Sequence, residues 1–238
     1  MKRRLIILFF SFFSSAGLIF AQVPQLSAKE KKQGWVLLFD GTTSKGWQSS
    51  DGSSFPQKGW VIDNGELKTK PEPGIHASDI ITEGEYSDFE LFVDFKTTEG
   101  ANSGVKYFFT KYEKGGLLGL EYQIIDDERH PDAKLGKNGN RKCGAFYDMI
   151  PTSNDKKVNP PGQWNTARII SKDKHVEHWL NGKKVLEFDR LSVPYMEALQ
   201  ASKFKDAIPV FGSVLKGHIL LQFHGDAVSF KNIRIRAL

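Results

Sequence analysis

The sequence predicts an all-β fold, a sandwich or jelly roll of two packed antiparallel sheets with few short helices. Three observations carry that expectation. Apolar and polar residues alternate along segment after segment, and a period of two marks a half-buried strand. Asn-Gly pairs at Asn64-Gly65 and Asn181-Gly182 each separate two such segments and supply the positive φ values that a tight hairpin needs. Long helical periodicity is nearly absent. Roughly a dozen short strands punctuated by turns read as a sandwich.

Taken in order, Trp60–Ile62 and Glu66–Thr69 flank the first Asn-Gly turn. Along Asp88–Thr97, Phe89, Leu91, Val93 and Phe95 share one face, and Glu90, Asp94 and Lys96 take the other. Ser103–Phe109 places Val105, Tyr107 and Phe109 together, and Leu120–Ile124 buries Leu120, Tyr122 and Ile124. Trp164–Ser171, His175–Leu180 and Lys184–Phe188 follow, the last two around the second turn. One short helix is expected over Tyr195–Ser202, started by Pro194. Ile219–Phe223, with Ile219, Leu221 and Phe223 inward, and Val228–Arg236 close the set. Two long polar loops, Asp126–Asn140 and Asp148–Gly162, interrupt it, and loops of that length in a compact domain often carry function.

Residues 1–21 have the layout of a secretory signal peptide: Lys2, Arg3 and Arg4, then an apolar run from Leu5 to Phe13, then small residues up to Ala21. The chain therefore divides into that leader, an extension over 22–34 and one domain over 35–238. The expected location is periplasmic or extracellular, with no membrane span once the leader is cut. The formal charge of +5, less the three charges of the leader, leaves about +2. The remaining charges mix in sign, as in Lys172-Asp173-Lys174, whereas a nucleic-acid footprint needs a clustered basic face. The single cysteine, Cys143, excludes an internal disulfide framework and multi-cysteine metal sites. It reads as a buried small residue.

Several strings then recur in a recognisable order. They are Trp35-Val36-Leu37-Leu38-Phe39-Asp40-Gly41 with Gly46-Trp47, Gly59-Trp60-Val61-Ile62-Asp63-Asn64-Gly65-Glu66-Leu67, and Asn102-Ser103-Gly104. Next come Gly119-Leu120-Glu121-Tyr122-Gln123-Ile124-Ile125-Asp126-Asp127, Gln163-Trp164-Asn165-Thr166 and His178-Trp179-Leu180-Asn181-Gly182. The last are Gly217-His218-Ile219-Leu220-Leu221-Gln222-Phe223-His224-Gly225 and Phe230-Lys231-Asn232-Ile233-Arg234-Ile235. In this order and spacing the chain resembles the 3-keto-disaccharide hydrolase domain family, long known as a domain of unknown function. The resemblance implies a concanavalin-like jelly roll, secretion, and cleavage of 3-keto-glycosides by hydrolysis or by an elimination step. The chain departs from the family pattern at Phe223, where Asp is common, and at Phe146-Tyr147-Asp148, where Leu-Tyr-Gly is commoner.

Glu121 and Gln123 share the face of their strand opposite Leu120, Tyr122 and Ile124. Gln222 and His224 repeat that pattern near the end of the chain. Periodicity alone favours the solvated face of a sandwich; the resemblance points to a sugar groove lined by both pairs. A retaining glycosidase needs two carboxyl groups about 5–5.5 Å apart, but the position two residues from Glu121 is Gln123. Asp126, five residues on, points to the opposite face unless a turn intervenes.

A 3-keto-glycoside needs only one base, one oxyanion stabiliser and one acid. Glu121 and His224 are the candidates for base and acid. Gln123, Gln222, Asn102, Ser103, Asp126 and His130 are candidates for holding substrate. Glu121, Asp126, His130 and His224 also carry chemistry suited to a divalent ion, but no tight ligand spacing ties them together, and no cofactor is firmly implied. His175 and His178 read as structural. A non-catalytic, lectin-like carbohydrate-binding module is the alternative to the enzyme, with a carbohydrate partner in either case.

Overall fold

The computed structural model describes residues 23–238; the leader read over 1–21 lies outside them. Thirteen strands and three short helices follow in order: α1 (Ala28–Lys32), β1 (Val36–Leu37), β2 (Trp47–Ser49), β3 (Trp60–Asp63), β4 (Glu66–Thr69), β5 (Ile80–Tyr86), β6 (Phe89–Thr97), β7 (Asn102–Tyr112), β8 (Gly116–Ile125), a 3₁₀ turn (Pro131–Lys134), β9 (Asn165–Lys172), β10 (His175–Leu180), β11 (Lys183–Asp189), α2 (Val193–Gln200), β12 (Gly217–Leu221) and β13 (Val228–Ala237). Eight strands form one sheet, ordered β11-β10-β9-β6-β13-β4-β3 with β1 on β13. Five form the other, ordered β2-β5-β12-β7-β8. Every pairing is antiparallel. The all-β sandwich expected from the alternation is the fold observed. Among the described residues no helix is long and apolar enough to cross a membrane.

The alternation works as its period dictates. Phe89, Leu91, Val93 and Phe95 point between the sheets and are fully buried, together with Val105, Tyr107, Leu120, Tyr122 and Ile124 of the facing sheet. Each large apolar side chain removed from water stabilises the fold by about 1.5–3 kcal/mol. On the outer side of β6, Glu90 is clamped from both flanking strands, by Arg168 at 2.6 Å and Arg236 at 2.5 Å. The expected helix is α2, capped by the Ser192 side chain, with Pro194 in its first turn, where its missing N–H costs nothing.

Three details differ from the sequence expectation. β2 and β5 lie in stretches without clear alternation, and Trp47, buried on β2, donates its indole N–H to the Leu38 carbonyl at 2.6 Å. The strand expected over Ile219–Phe223 ends at Leu221. Phe109 does not join Val105 and Tyr107. A bulge at Phe108 (φ 52°) shifts the register between Tyr107 and Thr110, so Phe108 enters the main core. Phe109 instead joins Ile81 and Leu220 in a small separate cluster. One inserted residue reverses every later side chain of a strand.

His178 is the polar pin of the core. It sits on β10 of the larger sheet with no exposed surface, and its Nε2 lies 2.9 Å from the hydroxyl of Tyr107 on the smaller sheet. Its Nδ1 lies 3.0 Å from the carbonyl of Gly144. A carbonyl only accepts, so Nδ1 carries the proton and Nε2 receives the tyrosine O–H. Burial pushes the imidazole down to about 4, against the favourable contact with Gly144. An unfolded histidine takes its proton near 6.5, so between these values the unfolded chain binds more protons. The stability present above pH 6.5 is therefore lost as pH falls toward 4, by about 3 kcal/mol from this one group. Urea denaturation at pH 7 and pH 4.5 should show the wild type losing about 2–3 kcal/mol more than His178→Gln, whose amide does not titrate.

Candidate active site

β7, β8 and the end of β12 lie side by side, and their outward residues form rows across the sheet. Lys106 stands opposite Glu121, and Gly104 opposite Gln123. On the other side of Gly104, the Gln222 N–H donates to its carbonyl at 3.0 Å, continuing the ladder just past β12. A cleft of about 390 Å³ opens over these rows. Its floor is Asn102, Lys106, Glu121, Gln123 and Gln222, and its walls include His130, Asp132, Tyr147, Lys203, Phe204 and His224. Glu121 and His224 thus line the same cleft, although a hundred residues separate them along the chain.

The floor carries oxygens without a donor. Of four buried side-chain atoms without a hydrogen-bond partner among the described residues, two, Asn102 Oδ1 and Gln222 Oε1, belong to residues lining this cleft. Both residues are more than nine-tenths buried. A buried acceptor left unpaired costs about 1–3 kcal/mol, so a ligand offering O–H groups recovers that energy. Glu121, 6% exposed, adds two further acceptor oxygens, with the Lys106 ammonium 3.7 Å from Oε2. Gly104 keeps the floor open: a methyl group there would stand 3.0 Å from Glu121 Oε1 and 3.1 Å from Gln222 Oε1.

The wall is built from the loop that follows β8. Gln123 N–H donates to the Ala145 carbonyl at 3.1 Å, Gly144 N–H to the Gln123 carbonyl at 2.8 Å, and Tyr147 N–H to the Glu121 carbonyl at 3.0 Å. This ties Tyr147 beside Glu121. Arg141 then bridges the two ends of the loop, 2.8 Å from Asp132 and 2.7 Å from Asp148. Asp148 also accepts the Lys203 backbone N–H at 2.9 Å, which fixes the segment after α2 against the loop. Loss of water around the Tyr147 phenol, together with the nearby Asp132 carboxylate, pushes its pKa upward, so it remains a donor. On the other side, Asp79 receives the Phe223 N–H at 2.7 Å and orients the peptide leading to His224. Burial pushes the Asp79 carboxyl above its ordinary value.

Of the residues singled out in the sequence, Glu121, His224, Gln123, Gln222, Asn102 and His130 line the cleft. Ser103 and Asp126 do not. Ser103 points inward, with no exposed surface, and its hydroxyl donates to the Gln222 carbonyl at 2.7 Å. Asp126 anchors the loop after β8, accepting backbone N–H groups from Gly100 at 2.9 Å and Glu128 at 3.1 Å, with Arg129 at 3.2 Å. Burial opposes its charge, but these bonds outweigh it and hold its pKa low. The proposed ligand set of Glu121, Asp126, His130 and His224 is therefore divided, because Asp126 lines a different groove with Arg129 and Pro160. His130 Nδ1 is also occupied, accepting the Asp132 N–H at 3.1 Å at the head of the 3₁₀ turn. Cys143 is buried, and burial pushes its thiol up to about 12.

Lys106, Tyr147, Lys203 and Phe204 were not among the candidates. Lys106 was findable, since it follows Asn102 and Gly104 at a spacing of two on the same face. Tyr147 and Lys203 sit outside regular elements, where no periodicity reports which way a side chain turns.

A family model described as the 3-keto-alpha-glucoside-1,2-lyase-like domain matches residues 34–236. A 3-keto-disaccharide hydrolase from Bacteroides thetaiotaomicron is 34% identical over an alignment that covers 94% of this chain and 85% of that protein. A candidate glycosyl hydrolase from Parabacteroides distasonis, solved by crystallography, superposes with a TM-score of 0.80 at 33% identity, over 91% of this chain and all of the other. A Bacillus subtilis protein with a galectin-like fold shares the architecture alone, with a TM-score of 0.50 and 14% identity over 88% of this chain and 91% of that one.

Gly104→Ala tests the floor. Its backbone does not require positive φ, so the variant should fold and melt within a few degrees of the wild type. Displacing Glu121 and Gln222 should weaken binding of any hydroxylated sugar that the wild-type cleft takes about tenfold or more, read by titration calorimetry.

Proposed function

The chain belongs to the 3-keto-alpha-glucoside-1,2-lyase-like domain family, and from that membership and the chemistry of its cleft we propose that it is a secreted, glycoside-cleaving enzyme acting on 3-keto-glycosides. The observation that carries this reading is the convergence of Glu121 and His224 on a cleft floored by unpaired buried acceptors. Such a floor suits a ring bearing hydroxyl groups, because each O–H satisfies an oxygen that the fold leaves bare.

The substrate's ketone supplies much of the chemistry. A carbonyl at C3 acidifies the proton on C2. Glu121 takes that proton, the electron pair moves into a C2–C3 enolate, and the C1–O bond breaks as the carbonyl re-forms. His224 delivers a proton to the departing oxygen. Water adding across the resulting double bond would complete a hydrolysis, and release before that step would make the reaction an elimination. One base and one acid suffice, which agrees with a cleft whose other carboxylate, Asp132, is held by Arg141 at 2.8 Å. The 34% identical hydrolase supports the substrate class, and the leader-like residues 1–21 support export.

A chromogenic 3-keto-glucoside should release its chromophore with the purified protein, while the unoxidised glucoside should not. Glu121→Gln and His224→Ala, if folded by circular dichroism, should each lose about 10²-fold or more in rate. Retention of wild-type rates by both would remove this assignment. Binding of the sugar without any turnover by the wild type would favour a lectin-like module. Deuterium appearing at C2 of recovered substrate in heavy water would mark proton removal as a separate step.

A further inference from the structure

A ketone oxygen accepts hydrogen bonds and donates none, so neither the bare floor oxygens nor Glu121 can hold it. Its partner must be a donor, and the best donor for an oxygen that becomes negative is a cation without a counter-ion. Two lysines line the cleft. Lys106 is already set against Glu121. Lys203 differs, because among the described residues its Nζ makes neither an ion pair nor a hydrogen bond. The ammonium lies 4.4 Å from the centroid of the Tyr147 ring and 5.2 Å from that of Phe204. Its place does not depend on its side chain, since the backbone N–H of Lys203 is what Asp148 holds, at 2.9 Å, and Asp148 is itself held by Arg141. The side chain is thus free to serve a ligand from a fixed base.

Resting on the 3-keto-glycoside reading above, we propose that Lys203 is a catalytic residue that donates to the C3 keto oxygen and holds the enolate's negative charge while Glu121 removes the C2 proton. The lysine stays protonated throughout and forms no bond to carbon. When the C1–O bond breaks, the electron pair returns from the enolate, the carbonyl is restored, and the ammonium is left as it began. Loss of water in the cleft, with the charges of Lys106 and Arg141 nearby, lowers the pKa of Lys203 despite the opposing carboxylates of Glu121 and Asp148. The alkaline limb of the rate profile should therefore begin below the value of a free lysine, about 10.4.

The test compares Lys203→Met and Lys203→Arg with the wild type on a chromogenic 3-keto-glucoside, following chromophore release and C2 deuterium exchange across pH. Lys203→Met should melt with the wild type yet lose about 10²-fold or more in both readouts. Lys203→Arg should stay within about tenfold of the wild type and move the alkaline limb upward, because a guanidinium keeps its proton. Wild-type exchange and release in Lys203→Met would overturn the proposal while leaving the assigned substrate class standing. Capture of the sugar on Lys203 by borohydride would also overturn it, in favour of a covalent imine. A wild type inert toward every 3-keto-glucoside would bring down the substrate class and the role of Lys203 together.

Discussion

β8 is the outermost strand of its sheet, and the polar edge of its backbone has to be covered. A bare strand edge is a row of unpaired N–H and C=O groups that invites pairing with another chain. Here the segment Gly144–Tyr147 covers it through three backbone hydrogen bonds to Gln123 and Glu121. His178 fastens that segment from the opposite sheet by donating to the Gly144 carbonyl. Without this cover Glu121 would stand at an exposed rim. With it, Glu121 becomes the floor of a cleft, and Tyr147 arrives beside it as a consequence of the pairing.

The same constraint sets the two halves of the site side by side. The floor comes from β7, β8 and the residue just past β12, which present the oxygens of Asn102, Glu121 and Gln222 beside the Gln123 amide and Lys106. The wall comes from loop segments locked by Arg141 between Asp132 and Asp148, and it presents Tyr147 and Lys203 as donors. A hydroxylated ring carrying one ketone needs both kinds of partner in one cavity. Two ion pairs, Lys106 with Glu121 and Arg141 with Asp132, balance most of the cleft's charge and leave Lys203 unmatched.

The parts of the site legible in the sequence are those on strands. Glu121, Gln123 and Asn102 could be placed on an outward face because strand geometry repeats every two residues. Gln222 and His224 were placed by the same logic and do line the cleft, although β12 ends one residue before Gln222. The logic failed at Phe109, where a bulge reversed the alternation, whereas Ser103 points inward with Val105 and Tyr107 as the alternation requires. It failed differently at Asp126, whose carboxylate turns back to accept N–H groups of its own loop, from Glu128 and Arg129, and one from Gly100 before β7. Short polar side chains compete for nearby backbone in this way, and no period announces it.

By itself the sequence determined the two-sheet sandwich, its main hairpins, the short helix after Ser192 and the family to which the chain belongs. The structural features rest on local rules, because alternation, Asn-Gly turns and caps act between residues close in the chain, and the family rests on the order of its strings along the chain. Only the tertiary structure decided that Lys203 joins Glu121 and that Asp126 leaves it. It also decided that His178 serves the core as a neutral tether. Those outcomes depend on which loops cover an edge strand and on how buried charges find partners. Such contacts form between residues far apart in sequence, where no local pattern records them.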